Sequence, residues 1–116
     1  MQPMTVPERL VYVLRKYHTG ESAATKGENL ASSFGVKPKQ IQRVIHNLRY
    51  EGVPICGDHD GYFYASCDED IEHTARFLIT MGWQIQKTAC AMLIQADLDH
   101  NAPAALAIMK EAIVTL

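Results

Sequence analysis

Residues 30–65 read LASSFGVKPKQIQRVIHNLRYEGVPICGDHDGYFYA, and the fold turns on how this stretch divides. Leu30, Ala31 and Phe34 close a short apolar-faced helix that begins near Lys26. Gly35 suits the left-handed residue that ends such a helix. Pro38 is tolerated in the first turn of the next helix, which runs to about Tyr50. Its apolar positions Ile41, Val44, Ile45 and Leu48 fall at steps of 3, 1 and 3, one buried stripe at helical period. Gly52 stops it. Val53 to Cys56 and Tyr62 to Ser66 are rich in β-branched and aromatic residues and predict two strands, joined by Gly57-Asp58-His59-Asp60-Gly61. Pro54 cannot donate to a ladder and belongs at an edge. The order is two short helices across a tight turn, then a small hairpin.

Outside this stretch, Thr5 is a natural N-cap for a first helix, with Pro7 in its first turn and Glu8 complementing the dipole. Leu10, Val11, Val13, Leu14 and Tyr17 give that helix an apolar face, and Gly20 ends it. Gly20 to Thr25 predicts a polar connection with a short extended piece. Beyond the hairpin, Asp68, Glu69 and Asp70 crowd a helix start, where negative charge is favoured. Ile71, Ala75, Leu78, Gly82, Ile85, Ala89 and Met92 then recur at steps of 4 and 3, a heptad-like seam whose small members allow close approach. Asn101 can cap a last helix, with Pro103 in its first turn and Leu106, Met109, Ile113 and Leu116 on one face. The expected fold is mainly α with a small β-hairpin (α+β): a domain over 1–67, followed by a C-terminal α-helical hairpin over 68–116.

The 116 residues suit one domain with an appended element, and 47% apolar with 21% charged content is ordinary for a globular protein. No apolar run is long enough to span a bilayer, and the start does not resemble a signal peptide. Three cysteines, Cys56, Cys67 and Cys90, are an odd number without CxxC spacing, which fits reduced thiols in the cytoplasm. Net charge is −2, unevenly spread. Residues 1–52 carry eight basic and four acidic groups, a balance of +4, while 53–116 carry three and nine, a balance of −6. Such a split points to a polyanion partner for the first half only.

If the 38–50 helix packs by its apolar stripe, Lys39, Gln40, Arg43, His46 and Asn47 face outward. Arginine can bond a guanine edge through two donors, glutamine or asparagine can pair with adenine, and lysine neutralises phosphate. Lys37 at the turn and Lys26 at the preceding helix start favour backbone contacts. Solvated helix faces are polar as a rule, so it is the turn before and the hairpin after that favour double-stranded DNA.

The same stretch resembles the winged helix-turn-helix of the biotin-operon-repressor and DeoR type. A Leu-Ala pair, a Gly-Val turn, an Ile-x-Arg helix, a Leu-Arg end and a Gly-x-Pro-Ile…Gly-Tyr wing recur there in this order. The resemblance covers about residues 5–67. It implies DNA binding through the 38–50 helix, with Gln40, Arg43 and His46 nearest the bases, in a small protein of the bacterial, phage or mobile-element kind. Two features depart from that pattern. Lys37-Pro38-Lys39 replaces the usual Ser/Thr-rich entry, and the wing tip carries Asp58 and Asp60, which phosphate would repel.

Cys56, His59, Cys67 and His73 fit no common zinc spacing, so no metal or other cofactor is expected. The acidic residues come without a nucleophile, a phosphate loop or a paired base, so an enzyme is not expected either. Trp83, Ile79, Leu93 and Ile94 give the long helix a second apolar side, and a helix apolar on two sides needs two partners. The expectation is therefore a cytoplasmic, dimeric transcription regulator. Ile71, Ala75, Leu78, Gly82, Ile85, Ala89 and Met92 would form its dimer seam. The alternative is a winged-helix protein-interaction module, or a replication or recombination accessory factor, that meets a protein partner through the acidic wing.

Overall fold

The computed structural model describes residues 3–100 together with Ile108 and Glu111, and of residues 96–100 the backbone alone. Helix α1 spans Val6–Tyr17, α2 Gly27–Phe34 and α3 Pro38–Tyr50. A hairpin follows, β1 Ile55–Asp58 and β2 Gly61–Tyr64, and then α4, Asp68–His100. Over the described residues the chain is mainly helical with one two-stranded antiparallel sheet.

Local chemistry accounts for the element ends. Thr5 caps α1, its Oγ1 accepting from Glu8 N at 3.4 Å, as the N-terminal motif predicts. The far end of α1 differs from the expectation. The helix stops at Tyr17, not Gly20, because the His18 side chain turns to the next segment, its Nδ1 2.8 Å from Ala23 O. The connection that follows holds a single 3-10 turn, Glu21–Ala23, flanked by the extended residues Thr19 and Thr25. Gly35, left-handed, closes α2, and α3 keeps its predicted limits, bracketed by Pro38 and Gly52.

The hairpin is tighter than predicted. Its register pairs Ile55 with Tyr64 and runs on to Asp58 with Gly61, leaving only His59-Asp60 as the loop. Gly57 makes this possible: it adopts φ +82°, and a Cβ there would run into Gly61 O. Val53 and Pro54 precede the ladder. Ser66 leaves it to serve α4, its N and Oγ both donating to Asp70 Oδ2, at 2.9 and 2.7 Å.

Leu10 and Leu14 of α1, Leu30 and Ala31 of α2, Ile41, Ile45 and Leu48 of α3, Ile55 of β1 and Tyr62 of β2 form one buried cluster. Burying each such large side chain contributes about 1.5–3 kcal/mol. Tyr17, counted on the apolar face of α1, is exposed instead, because it lies past the last buried turn at Leu14. The outer edge of β2 is paired as well. Thr25 and Tyr62 exchange backbone bonds of 2.8 and 2.7 Å, while Tyr64 donates to His18 O and accepts from Gly20 N. The sheet therefore presents no open β2 edge.

The chain forms two compact units, Met1–Ala75 and Arg76–Leu116. The first includes the opening turns of α4, where Thr74 is buried and its Oγ1 accepts from Gly57 N at 3.1 Å. In the second, α4 continues to His100 and leaves apolar side chains exposed, Trp83 at 61%, Ile85 at 66% and Met92 at 69% among them. The predicted cap at Asn101 and most of the last helix lie outside the described residues; Ile108 and Glu111 are helical. No helix among the described residues is long and apolar enough to cross a membrane.

Candidate functional site

The outward side of α3 is where the sequence-predicted residues gather. With Ile41, Ile45 and Leu48 buried, the helical repeat carries Lys39, Arg43 and His46 to the opposite side at steps of 4 and 3. All three are exposed, and Asn47 and Gln40 flank them, also exposed. Lys37 is the N-cap residue of α3 and Lys26 that of α2, both exposed.

The eight cations of the basic half divide into two groups of four. Arg9 lies over the Phe34 ring at 5.0 Å, Arg15 over Tyr64 at 5.6 Å and Lys16 over Tyr12 and Tyr17 at 5.5 and 5.3 Å. The two tyrosines hold the Lys16 ammonium above its ordinary pKa, chiefly through the hydrogen bond to Tyr12. Arg49 is the fourth. Its Nε and Nη2 donate to the carbonyls of Ile55 and Gly57, each at 2.7 Å, and its guanidinium covers the Tyr62 ring at 5.7 Å. Burial pulls the Arg49 guanidinium down from its ordinary value, against the opposing pull of Tyr62, Cys56 and Asp58. Arg49 is thus a clamp between α3 and the hairpin, although by charge alone it counts with the surface cations.

Lys26, Lys37, Lys39 and Arg43 make up the other group. Their side chains make no hydrogen bond, ion pair or ring contact among the described residues; the bonds of Lys26 and Lys37 are made by backbone atoms. Lys39 and Arg43 are the cations expected on the outward side of α3, Lys26 and Lys37 those expected at the helix start and the turn, and all four lie between the start of α2 and the middle of α3.

Two polar residues carry structural duties that spacing does not reveal. Gln40 Oε1 accepts from Lys37 N at 2.9 Å, so it caps α3. Pairing with adenine uses both the oxygen and the amide group, so Gln40 reads a base only by releasing this cap. Gln42, absent from the outward set, is exposed, with Nε2 3.3 Å from His59 Nδ1. His59 also presents its ring edge-on to Tyr62, centroids 6.3 Å apart, and its carbonyl accepts from Gly27 N at 2.9 Å. A Cβ on Gly27 would collide with that ring, so the buried glycine lets the hairpin tip rest on the start of α2. Asp58 and Asp60 stay exposed at the tip.

The seam residues Ile71, Ala75, Leu78, Gly82, Ile85, Ala89 and Met92 lie along α4, all of them exposed. Cys56 is buried, Cys67 exposed and Cys90 between the two. Burial pushes the Cys56 thiol up, and a neutral thiol is a poor nucleophile. Among the described residues no three His, Cys, Asp or Glu side chains gather as a metal site requires. Comparison with models of known families, with characterised proteins and with solved structures finds no match.

Proposed function

We propose that the chain is a winged helix-turn-helix protein that binds double-stranded DNA with the exposed side of α3, acting in the cytoplasm as a dimeric transcription regulator. The observation that carries this reading is the division of charge. Four cations are spent on rings and carbonyls, and the four whose side chains have no such partner among the described residues, Lys26, Lys37, Lys39 and Arg43, cluster at the starts of α2 and α3 and along the outward side of α3. A phosphate backbone is the partner that rewards unpaired cations so arranged. Arg43, at the centre of the outward row, suits a guanine edge, and His46 and Asn47 lie one turn on. The extended residues Thr19 and Thr25 on the outer side of β2 support the winged-helix assignment, since they extend the hairpin back toward the first two helices.

The α4 seam would join two such chains, placing two reading helices on a two-fold site. In a gel-shift titration, Lys39→Ala combined with Arg43→Ala should weaken duplex binding by at least about tenfold, with the salt dependence lowered by about one for each lost phosphate contact. Unchanged affinity would refute the reading.

A second reading rests on the exposed Asp58 and Asp60 at the hairpin tip, where a wing meeting phosphate would be neutral or basic. It makes the domain a protein-interaction module or a replication or recombination accessory factor. A partner captured in the presence of nuclease, and lost with Asp58→Lys plus Asp60→Lys, would favour it.

A further inference from the structure

Tyr50 differs from the other four tyrosines of the chain. Tyr12 accepts a hydrogen bond from Lys16 Nζ at 3.1 Å, and the Tyr17 ring faces the same ammonium. Tyr62 and Tyr64 lie beneath Arg49 and Arg15. Tyr50 has no such partner among the described residues and is 91% exposed, more than any other large apolar side chain among them. Packing does not account for a tyrosine at this position.

Its register supplies a reason. Lys39, Arg43, His46 and Tyr50 follow at steps of 4, 3 and 4, so Tyr50 ends the outward row of α3. Its backbone is also held in place. Leu48, two residues earlier, is buried and Arg49 is clamped to the hairpin carbonyls, while Glu51 N and Gly52 N donate to Asn47 O and Arg49 O. A side chain on so fixed a turn loses little further backbone freedom when it meets a ligand.

Length decides what it would meet. From Lys39 to Tyr50 the row rises about 16 Å along the helix axis, whereas the major groove is about 12 Å wide. A helix that lies in the groove with Arg43 and His46 over base edges therefore has its two ends beyond the seated segment, where they pass the phosphate strands that flank the groove. Tyrosine hydroxyls are among the regular donors to DNA phosphate. We infer that Tyr50 is a backbone anchor for duplex DNA, its hydroxyl donating to a phosphate on the wall opposite the one Lys39 neutralises. This rests on the duplex-binding reading above and adds a neutral contact that a search for charge does not find.

The test compares the full wild-type chain with Tyr50→Phe, Tyr50→Ala and Lys39→Ala, by fluorescence anisotropy on two unrelated duplexes across a salt series. Tyr50→Phe should weaken binding about five- to tenfold, equally on both duplexes, with the slope of log K against log salt unchanged, because no charge is removed. Tyr50→Ala should lose at least as much. Lys39→Ala should lower the slope by about one. Wild-type affinity in both Tyr50 variants, beside a weakened Lys39→Ala, overturns the anchor and leaves duplex binding standing. A loss confined to one duplex also overturns it, since that is the mark of a base contact. Absence of salt-dependent binding by the wild-type chain overturns both.

Discussion

Arg49 and Arg43 lie six residues apart on one helix and do unrelated work. Helical register turns Arg49 toward the hairpin, where two carbonyls and a tyrosine ring occupy its guanidinium. Arg49→Ala would leave the Ile55 and Gly57 carbonyls without their charged donor, at a cost of about 2–3 kcal/mol in a urea titration. Arg43→Ala, at an exposed position with no side-chain partner among the described residues, should change stability by less than about 0.5 kcal/mol. A reversal of that order would remove the clamp. Sequence alone could not separate the two arginines, because a count of charge treats both as surface cations. The buried stripe of α3 was legible from Ile41, Ile45 and Leu48; what lay just beside it was not. Tyr50 could have been found by carrying the 39–43–46 spacing one step further.

Among the elements, α3 was the most legible, since Pro38 and Gly52 bracket it and its apolar steps are unambiguous. The hairpin was less so. Its loop was placed at the turn-forming residues from Gly57 to Gly61, yet the close pairing of Gly57 and Gly61 draws both glycines into the ladder, a consequence of tertiary geometry. The rest of His59 on Gly27 was hidden for the same reason, because the two residues are far apart in sequence. The link from β2 to α4 carries a pH dependence. Asp70 accepts from Ser66 Oγ and N, and these bonds hold its carboxyl below the usual range. A carboxyl depressed in the folded state adds stability that is fully present above its unfolded value, near 3.9. That stability is lost as pH falls through the lower folded value. Asp70→Asn should therefore lower the melting temperature at neutral pH and flatten its decline below about pH 4. An acid limb identical to wild type would show that the carboxylate contributes nothing there.

At the scale of the whole molecule, a surface with this many exposed apolar residues on one helix calls for cover. Contiguous apolar exposure beyond a few hundred square ångströms marks an interaction surface. For the proposed dimer, light scattering should return twice the 13.0 kDa chain mass. Leu78→Glu with Ile85→Glu should return a single chain of unchanged helicity, and a wild-type particle of 13.0 kDa would exclude the seam as a dimer contact. The heptad spacing that suggested this helix was legible; whether its faces meet a second chain is not a property that periodicity carries.

Duplex binding itself is tested most directly by the affinity of the full chain for a random DNA duplex at 50 and 200 mM salt, both on the order of physiological strength. Lys26, Lys37 and Lys39 meeting three phosphates would give a slope near −0.9 for each, so affinity should fall by about fortyfold per bound chain over that interval. An affinity that stays flat, or no binding at the lower salt, would contradict the assignment of Lys26, Lys37, Lys39 and Arg43 to a nucleic-acid face.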